Sequence, residues 1–278
     1  MLSPRALDDA AEMIRRASSL LIGAGAGMGV DSGLPDFRGD QGFWNAYPPY
    51  ARRGLRFVEM ANPEHFVRDA PFAWGFYGHR RGLYRATTPH EGFAVLRRMA
   101  DRMSNGAFVY TSNVDGQFQR SGFDDSRIVE CHGSIEFEQC MEACGQGLWR
   151  ADERITVDVE MSSMRACGAL PVCPACDGLA RPNILMFGDA GWDPSRTGAQ
   201  ERRLAAWARA QSPSQAVVIE VGAGTAVPSV RMACERWASA GADFIRINPR
   251  EAEVPAGCVS LAGGAAETLM ALEERLSG

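Results

Sequence analysis

The stretch Ser18–Arg38, SSLLIGAGAGMGVDSGLPDFR, decides the fold class. It begins as an apolar run, Leu20-Leu21-Ile22, then passes through Gly23, Gly25, Gly27, Gly29 and Gly33 and closes on Pro35-Asp36-Phe37-Arg38. A buried strand that empties into glycines is how α/β proteins bring backbone N–H groups against a phosphate. Residues without a Cβ let the chain lie close to a ligand. The spacing departs from the usual dinucleotide fingerprint. After Gly25 and Gly27 the third glycine would stand at position 30, which is Val30, and no acid follows at the usual distance. From this stretch alone, a glycine-rich turn without a ligand stays open.

The rest of the chain alternates strand and helix patterns. Leu7, Ala10, Ala11 and Ile14 recur at helical spacing ahead of the first strand. Ala107–Tyr110, Ile128-Val129, Ala216–Val221, Phe244–Ile247 and Cys258–Leu261 read as further short strands, and Ala265–Leu276 as a closing helix. Thr88-Pro89-His90-Glu91 reads as a capping box that opens a helix to about Met103. Polar or glycine residues stand after most of these strands, where open parallel sheets bind ligands. The expected fold is α/β: a Rossmann-like parallel sheet with helices on both faces, a small zinc-binding domain and a helical insert. The expected divisions are 1–39, 88–136 and 181–278 for the sheet domain, 40–87 for the insert and cofactor loop, and 137–180 for the zinc domain.

Bulk composition narrows the partners. The 278 residues can bury a sizeable core, and the net charge of −5 gives no reason to expect nucleic acid or an anionic membrane. No apolar run approaches the about 20 residues of a membrane span. The N-terminus carries acids and lacks an apolar signal core, so a cytoplasmic location is expected.

Four sets of residues carry chemistry. Asn113 and Asp115 stand two apart after a strand and suit a carboxamide and a ribose, or else cap the next helix. His132, in Glu130-Cys131-His132-Gly133, is a neutral-pH base by residue type, with a structural histidine as the alternative. Cys140-x3-Cys144 and Cys173-x2-Cys176, with 28 residues between the pairs, suggest a closed, structural four-thiolate zinc site; Cys167 is a rival fourth ligand. Tyr77 and Arg80 are three apart in a helical pattern and share a face. That face could hold a carboxylate, or could be a solvated arginine run beside a core aromatic.

Taken in order, Gly25-Ala26-Gly27, Gly33-Leu34-Pro35-Asp36-Phe37-Arg38, Asn113-Val114-Asp115, His132-Gly133, the two thiol pairs and Arg181–Asp189 resemble the sirtuins, the NAD-dependent protein lysine deacylases. The resemblance runs from about Ile14 to Leu276 and is to a divergent, bacterial-type member. It implies that Gly25, Ala26, Gly27, Asp36, Phe37, Arg38, Ser112, Asn113, Val114, Asp115, Gly222, Ala223, Gly224, Thr225 and Asn248 bind NAD. It implies that Asp115 and the Val114 backbone hold the nicotinamide amide and that Asn113 contacts the ribose. In the family's reaction the acyl-lysine carbonyl oxygen attacks the anomeric carbon and nicotinamide leaves. His132 would then draw a proton from the ribose hydroxyls so that the sugar attacks the bound imidate carbon, and water would then give free lysine and O-acyl-ADP-ribose. His132 and Asn113 are the implied catalytic residues. Met186, Phe187 and Gly188 would pair with the acyl-lysine peptide as an added strand, with a core strand as the alternative. Tyr77 and Arg80 stand where desuccinylating and demalonylating sirtuins carry Tyr-x-x-Arg. Gly29 replaces a common serine, Ser112 the usual glutamine, Phe118 a histidine, and Ala223-Gly224 a Thr-Ser pair. These departures leave protein ADP-ribosyl transfer, NAD hydrolysis and a non-enzymatic NAD-binding module as alternatives.

Overall fold

The computed structural model describes residues 2–35 and 39–277. Its strands are β1 Ser19–Ala24, β2 Ala107–Thr111, β3 Ile128–Glu130, β4 Gly133–Cys140, β5 Trp149–Arg150, β6 Asp158–Glu160, β7 Arg165–Cys167, β8 Ala180–Ile184, β9 Ala216–Val221, β10 Asp243–Ile247 and β11 Val259–Leu261. Six of them form one parallel sheet in the order β11-β10-β9-β1-β2-β3. The chain builds outward from β1 in one direction through β2 and β3, and in the other through β9, β10 and β11. The strand order therefore reverses between β1 and β9. Register places Ala24 beside both Val221 and Thr111, so Gly25, Gly222 and Ser112 leave the sheet at one level. That is the crevice where open α/β sheets take ligands.

Both faces of the sheet are covered, which is why β1 and β9 are buried along their whole length. Leu20 and Ile22 pack on one face with Leu7, Ile14, Phe93, Leu96 and Leu269 of the flanking helices Pro4–Arg16, Glu91–Asp101 and Ala265–Ser277. Leu21 points the other way, onto Trp207 of the helix Ser195–Arg209 and Val230 and Cys234 of the helix Ser229–Ser239. The helix after residue 90 starts later than its sequence suggests. His90, not Thr88, is the N-cap: its Nδ1 accepts from the Gly92 N–H at 3.0 Å while Nε2 contacts the Met28 carbonyl at 2.8 Å. An imidazole that ties the helix to the glycine turn has displaced the expected threonine cap.

Residues 40–87 are largely helical and pack around an aromatic cluster of Phe43, Tyr50, Phe66, Phe76 and Tyr77. Its long helix, Ala70–Ala86, receives the segment that carries β6 and β7. A Cβ on Gly75 would lie 2.0 Å from the Met164 carbonyl oxygen, so only glycine admits that approach. β4 pairs antiparallel with β8 and β5 in a second sheet. The divisions expected at 136/137 and 180/181 fall inside β4 and β8. This ladder runs from Gly133, the residue after His132, to Cys140, and so joins the crevice to the cysteines. Arg81 and Arg85 of the long helix bind Glu138 and Glu136 of β4, each at 2.7 Å. Among the described residues no helix is long and apolar enough to cross a membrane.

Candidate functional site

A cavity of about 540 Å³ opens at the strand-order reversal. The glycine turn, the β2 and β3 ends, the insert, residues 184–187 and the loop after β9 all line it. Of the residues singled out in the sequence, it gathers Gly25, Ala26, Ser112, Asn113, Val114, Asp115, His132, Ala223 and Gly224, together with Tyr77, Arg80, Met186 and Phe187. Asp36, Phe37 and Arg38 lie outside the described residues.

The glycine turn is fixed from below. Gly25 N donates to Val221 O and Gly27 N to Gly222 O, each at 3.0 Å. A Cβ on Gly222, whose φ is +62°, would lie 2.5 Å from the Gly27 backbone. Gly27 and Gly222 therefore back one another and line a smaller hollow beside the main cavity. Three other expected ligand residues do not line the cavity. Thr225 is bound through its N–H and hydroxyl to Glu251, at 3.1 and 2.7 Å. Asn248 is fully buried and its Nδ2 donates to the Ala223 carbonyl at 3.0 Å, which holds the loop in shape. Gly188 sits at φ +68° directly after Phe187.

Asn113 is set by Thr111. The Thr111 hydroxyl donates to Ala24 O at 2.8 Å and accepts from Asn113 N at 3.0 Å, and Asn113 Nδ2 donates to Gly25 O at 3.0 Å. The amide thus bridges the β2 end to the glycine turn. Asp115 accepts from Gln117 N at 2.9 Å. Its burial pushes the carboxyl up to about 6, against the Gln117 N–H, which lowers it. His132 meets the Ser229 hydroxyl through Nε2 at 3.2 Å. Burial lowers its pKa, while a hydrogen bond to the Ser112 backbone raises it. A neutral imidazole in the cavity wall can accept a proton. Cys131, beside it, is no nucleophile: burial pushes its thiol up to about 12.

Residues 185–187 form the outer wall. Leu185 N donates to His132 O and Phe187 N to Ala61 O, each at 2.9 Å. A buried bidentate pair, Arg181–Asp189 at 2.8 and 2.9 Å, fastens the segment behind them. Ala180–Ile184 is a wholly buried strand, whereas Leu185 and Phe187 are exposed at the mouth. Continuous burial therefore ends at Ile184, and Met186 is buried again between the two exposed side chains.

Cys140, Cys144, Cys173 and Cys176 bring four Sγ atoms within 4.8 Å of one another. Cys140–Cys176 and Cys144–Cys173 stand 3.6 and 3.7 Å apart. Tetrahedral Zn–S bonds of about 2.3 Å place sulfurs about 3.8 Å apart, so the donor set fits zinc with no position left for water. Cys167 is exposed, contacts the Arg165 carbonyl and is not in the cluster.

The family model described as "Sir2 family" matches residues 25–205. The chain belongs to the Sir2 family. It is 30% identical over 271 residues to NAD-dependent protein deacylase 2 of Pyrobaculum aerophilum, covering 96% of this chain and 94% of that protein. It is 34% identical over 166 residues to the NAD-dependent protein deacylase of Aquifex aeolicus, a match that spans 60% of each chain. A solved Sir2 homolog–NAD complex superimposes with a TM-score of 0.71 at 24% identity, over 97% of this chain and 94% of that one. The Sir2 fold thus accounts for the sheet, the insert and the cysteine-bearing module together.

Two residues at or behind the cavity were not singled out in the sequence. Ser229 reaches His132 from 97 residues away. Tyr84, in the same cavity wall as Tyr77 and Arg80, accepts hydrogen bonds from Arg80. Its place seven residues after Tyr77, on the same helix face, could have pointed to it.

Proposed function

We infer that the chain is an NAD-dependent protein lysine deacylase that releases nicotinamide and O-acyl-ADP-ribose. The observation that carries the reading is the convergence of the glycine turn, Asn113, Asp115 and His132 on one cavity at the strand-order reversal. NAD would supply an activated anomeric carbon. Gly25, Ala26, Ala223 and Gly224 line the part of the cavity where a backbone can approach phosphates and ribose. Asp115 and the Val114 backbone hold the carboxamide, and Asn113 orients the ribose. His132, neutral at pH 7, takes the hydroxyl proton. Leu185, Met186 and Phe187 receive the peptide, and the acyl chain enters toward Tyr77 and Arg80. A carboxylate-ended acyl group suits that guanidinium better than acetyl does. Asp40, Phe57, Val58, Ala61, Tyr77, Arg80 and Tyr84 of the insert supply one wall of the cavity.

Incubating the protein with NAD and a panel of acetyl-, malonyl-, succinyl- and glutaryl-lysine peptides, and weighing the products, tests this reading. Nicotinamide and O-acyl-ADP-ribose are expected. Modified protein or free ADP-ribose in their place would assign the site to ADP-ribosyl transfer or hydrolysis.

Asp115 gives the reading a pH signature. Its carboxyl ionises in the folded protein only above about 6, and only the carboxylate accepts both amide N–H bonds. Turnover at limiting NAD is expected to fall as pH drops through about 6. The same shift costs stability. The unfolded chain loses this proton near the ordinary carboxylate range, so the penalty grows between about pH 4 and 6 and is constant above. It is at most ~3 kcal/mol. Asp115→Asn is expected to raise the melting temperature by a few degrees at pH 8 and not at pH 4, while weakening NAD turnover at least tenfold. Scanning calorimetry at the two pH values checks the sign.

A further inference from the structure

We propose that Tyr84 is a positioning residue that makes the cavity selective for acyl groups ending in a carboxylate. This rests on Arg80 as the acyl-carboxylate contact. Tyr77, Arg80 and Tyr84 follow one another at three and four residues on the helix Ala70–Ala86, which puts them on one face. All three line the cavity. Arg80 Nε and Nη2 both donate to the Tyr84 phenol oxygen, at 2.9 and 2.6 Å. The Tyr84 ring also lies 5.3 Å from the guanidinium carbon. One edge of the fork and the plane of the guanidinium are therefore fixed before any ligand arrives.

The chemistry of the phenol oxygen sets what it offers the ligand. A hydroxyl has two lone pairs and one hydrogen. With both lone pairs directed at Arg80, Tyr84 presents only its O–H. Tyr77 adds a second phenol whose hydroxyl is buried and has no hydrogen-bond partner among the described residues. An incoming carboxylate would meet a held cation and two O–H donors. An acetyl methyl would leave those donors unpaired, and a site built to hydrogen-bond one ligand rejects the analogue that lacks the partner. A guanidinium without Tyr84 would have to be ordered by the ligand itself, which weakens binding.

The test compares wild type, Tyr84→Phe and Arg80→Met on succinyl- and acetyl-lysine peptides of one sequence, with NAD saturating. Calorimetric binding of the succinyl peptide without NAD is the second readout. Phenylalanine keeps the ring and removes only the oxygen. Tyr84→Phe is expected to raise the KM for the succinyl peptide about tenfold and to weaken its binding by the same factor. Its kcat for the succinyl peptide should stay within twofold of wild type, and the KM for the acetyl peptide should hold or fall, because one donor that acetyl leaves unpaired is gone. Loss of succinyl activity in Arg80→Met with no change in Tyr84→Phe would overturn the role of Tyr84 and leave Arg80 standing. Equal losses on both peptides in Tyr84→Phe would show a structural role only and overturn it too. A wild-type protein that deacetylates but takes no acidic acyl group would remove the Arg80 reading and this inference with it.

Discussion

Alanine in place of His132 is expected to lower O-acyl-ADP-ribose formation by roughly 10²–10⁴-fold, the usual contribution of a positioned general base. The imidazole is in the cavity wall, its Nε2 meets Ser229, and burial keeps it neutral near pH 7. No other histidine lines the cavity among the described residues. The proposed reading gives Asp115 to the carboxamide, and burial holds the Cys131 thiol protonated. The side chain is partly exposed and its removal leaves Leu185 N bonded to the residue 132 carbonyl, so the fold should survive. NAD affinity, read by calorimetry, is expected to stay within about threefold of wild type. A comparable loss of NAD binding would mean that His132 builds the cavity and does not act on the ribose.

The second large effect concerns the metal. The wild type is expected to carry one equivalent of zinc, and Cys173→Ser to abolish it and to cost more than tenfold in activity. Structural zinc sites supply folding free energy outright. The path to the cavity is physical. β4 joins Cys140 to His132, β8 pairs along it, and Leu185 continues from β8 to the His132 carbonyl. Loosening the cysteine end frees the ladder that carries the imidazole and residues 185–187. Cys167→Ser, at an exposed thiol outside the cluster, is the matched control and should change neither zinc content nor activity. Metal analysis and the melting temperature of both variants check this.

The parts of the molecule legible in the sequence are those where one local pattern had one physical meaning. The apolar run into Gly25 and Gly27 became β1 and its turn, because a strand covered on both faces has to be continuously apolar. The two thiol pairs met because four thiolates at that spacing have few other uses in a chain of this kind. β4 and β8 were harder to place. GSIEFEQC and ARPNI are rich in polar residues, and their burial rests on distant partners: Arg81 for Glu138, Asp189 for Arg181, Gln139 for Asn183. A strand whose polar groups are paired leaves no hydrophobic signature. Asn248 and Thr225 show the same limit from the other side. Each is the residue type a ribose or phosphate site uses, but Asn248 holds a carbonyl beneath the loop and Thr225 is engaged by Glu251. His90 took the cap expected of Thr88 because Met28, far away in sequence, gave its other nitrogen a partner.

The central claim is that one cavity binds NAD and an acyl-lysine together and spends the first to free the second. Counting molecules tests it most directly: purified protein, NAD and a succinyl- or acetyl-lysine peptide, with nicotinamide and unmodified peptide quantified over the same time course. One nicotinamide is expected for each lysine freed, and no lysine freed without NAD. Deacylation that proceeds without NAD, or nicotinamide release that is independent of the peptide, would contradict it.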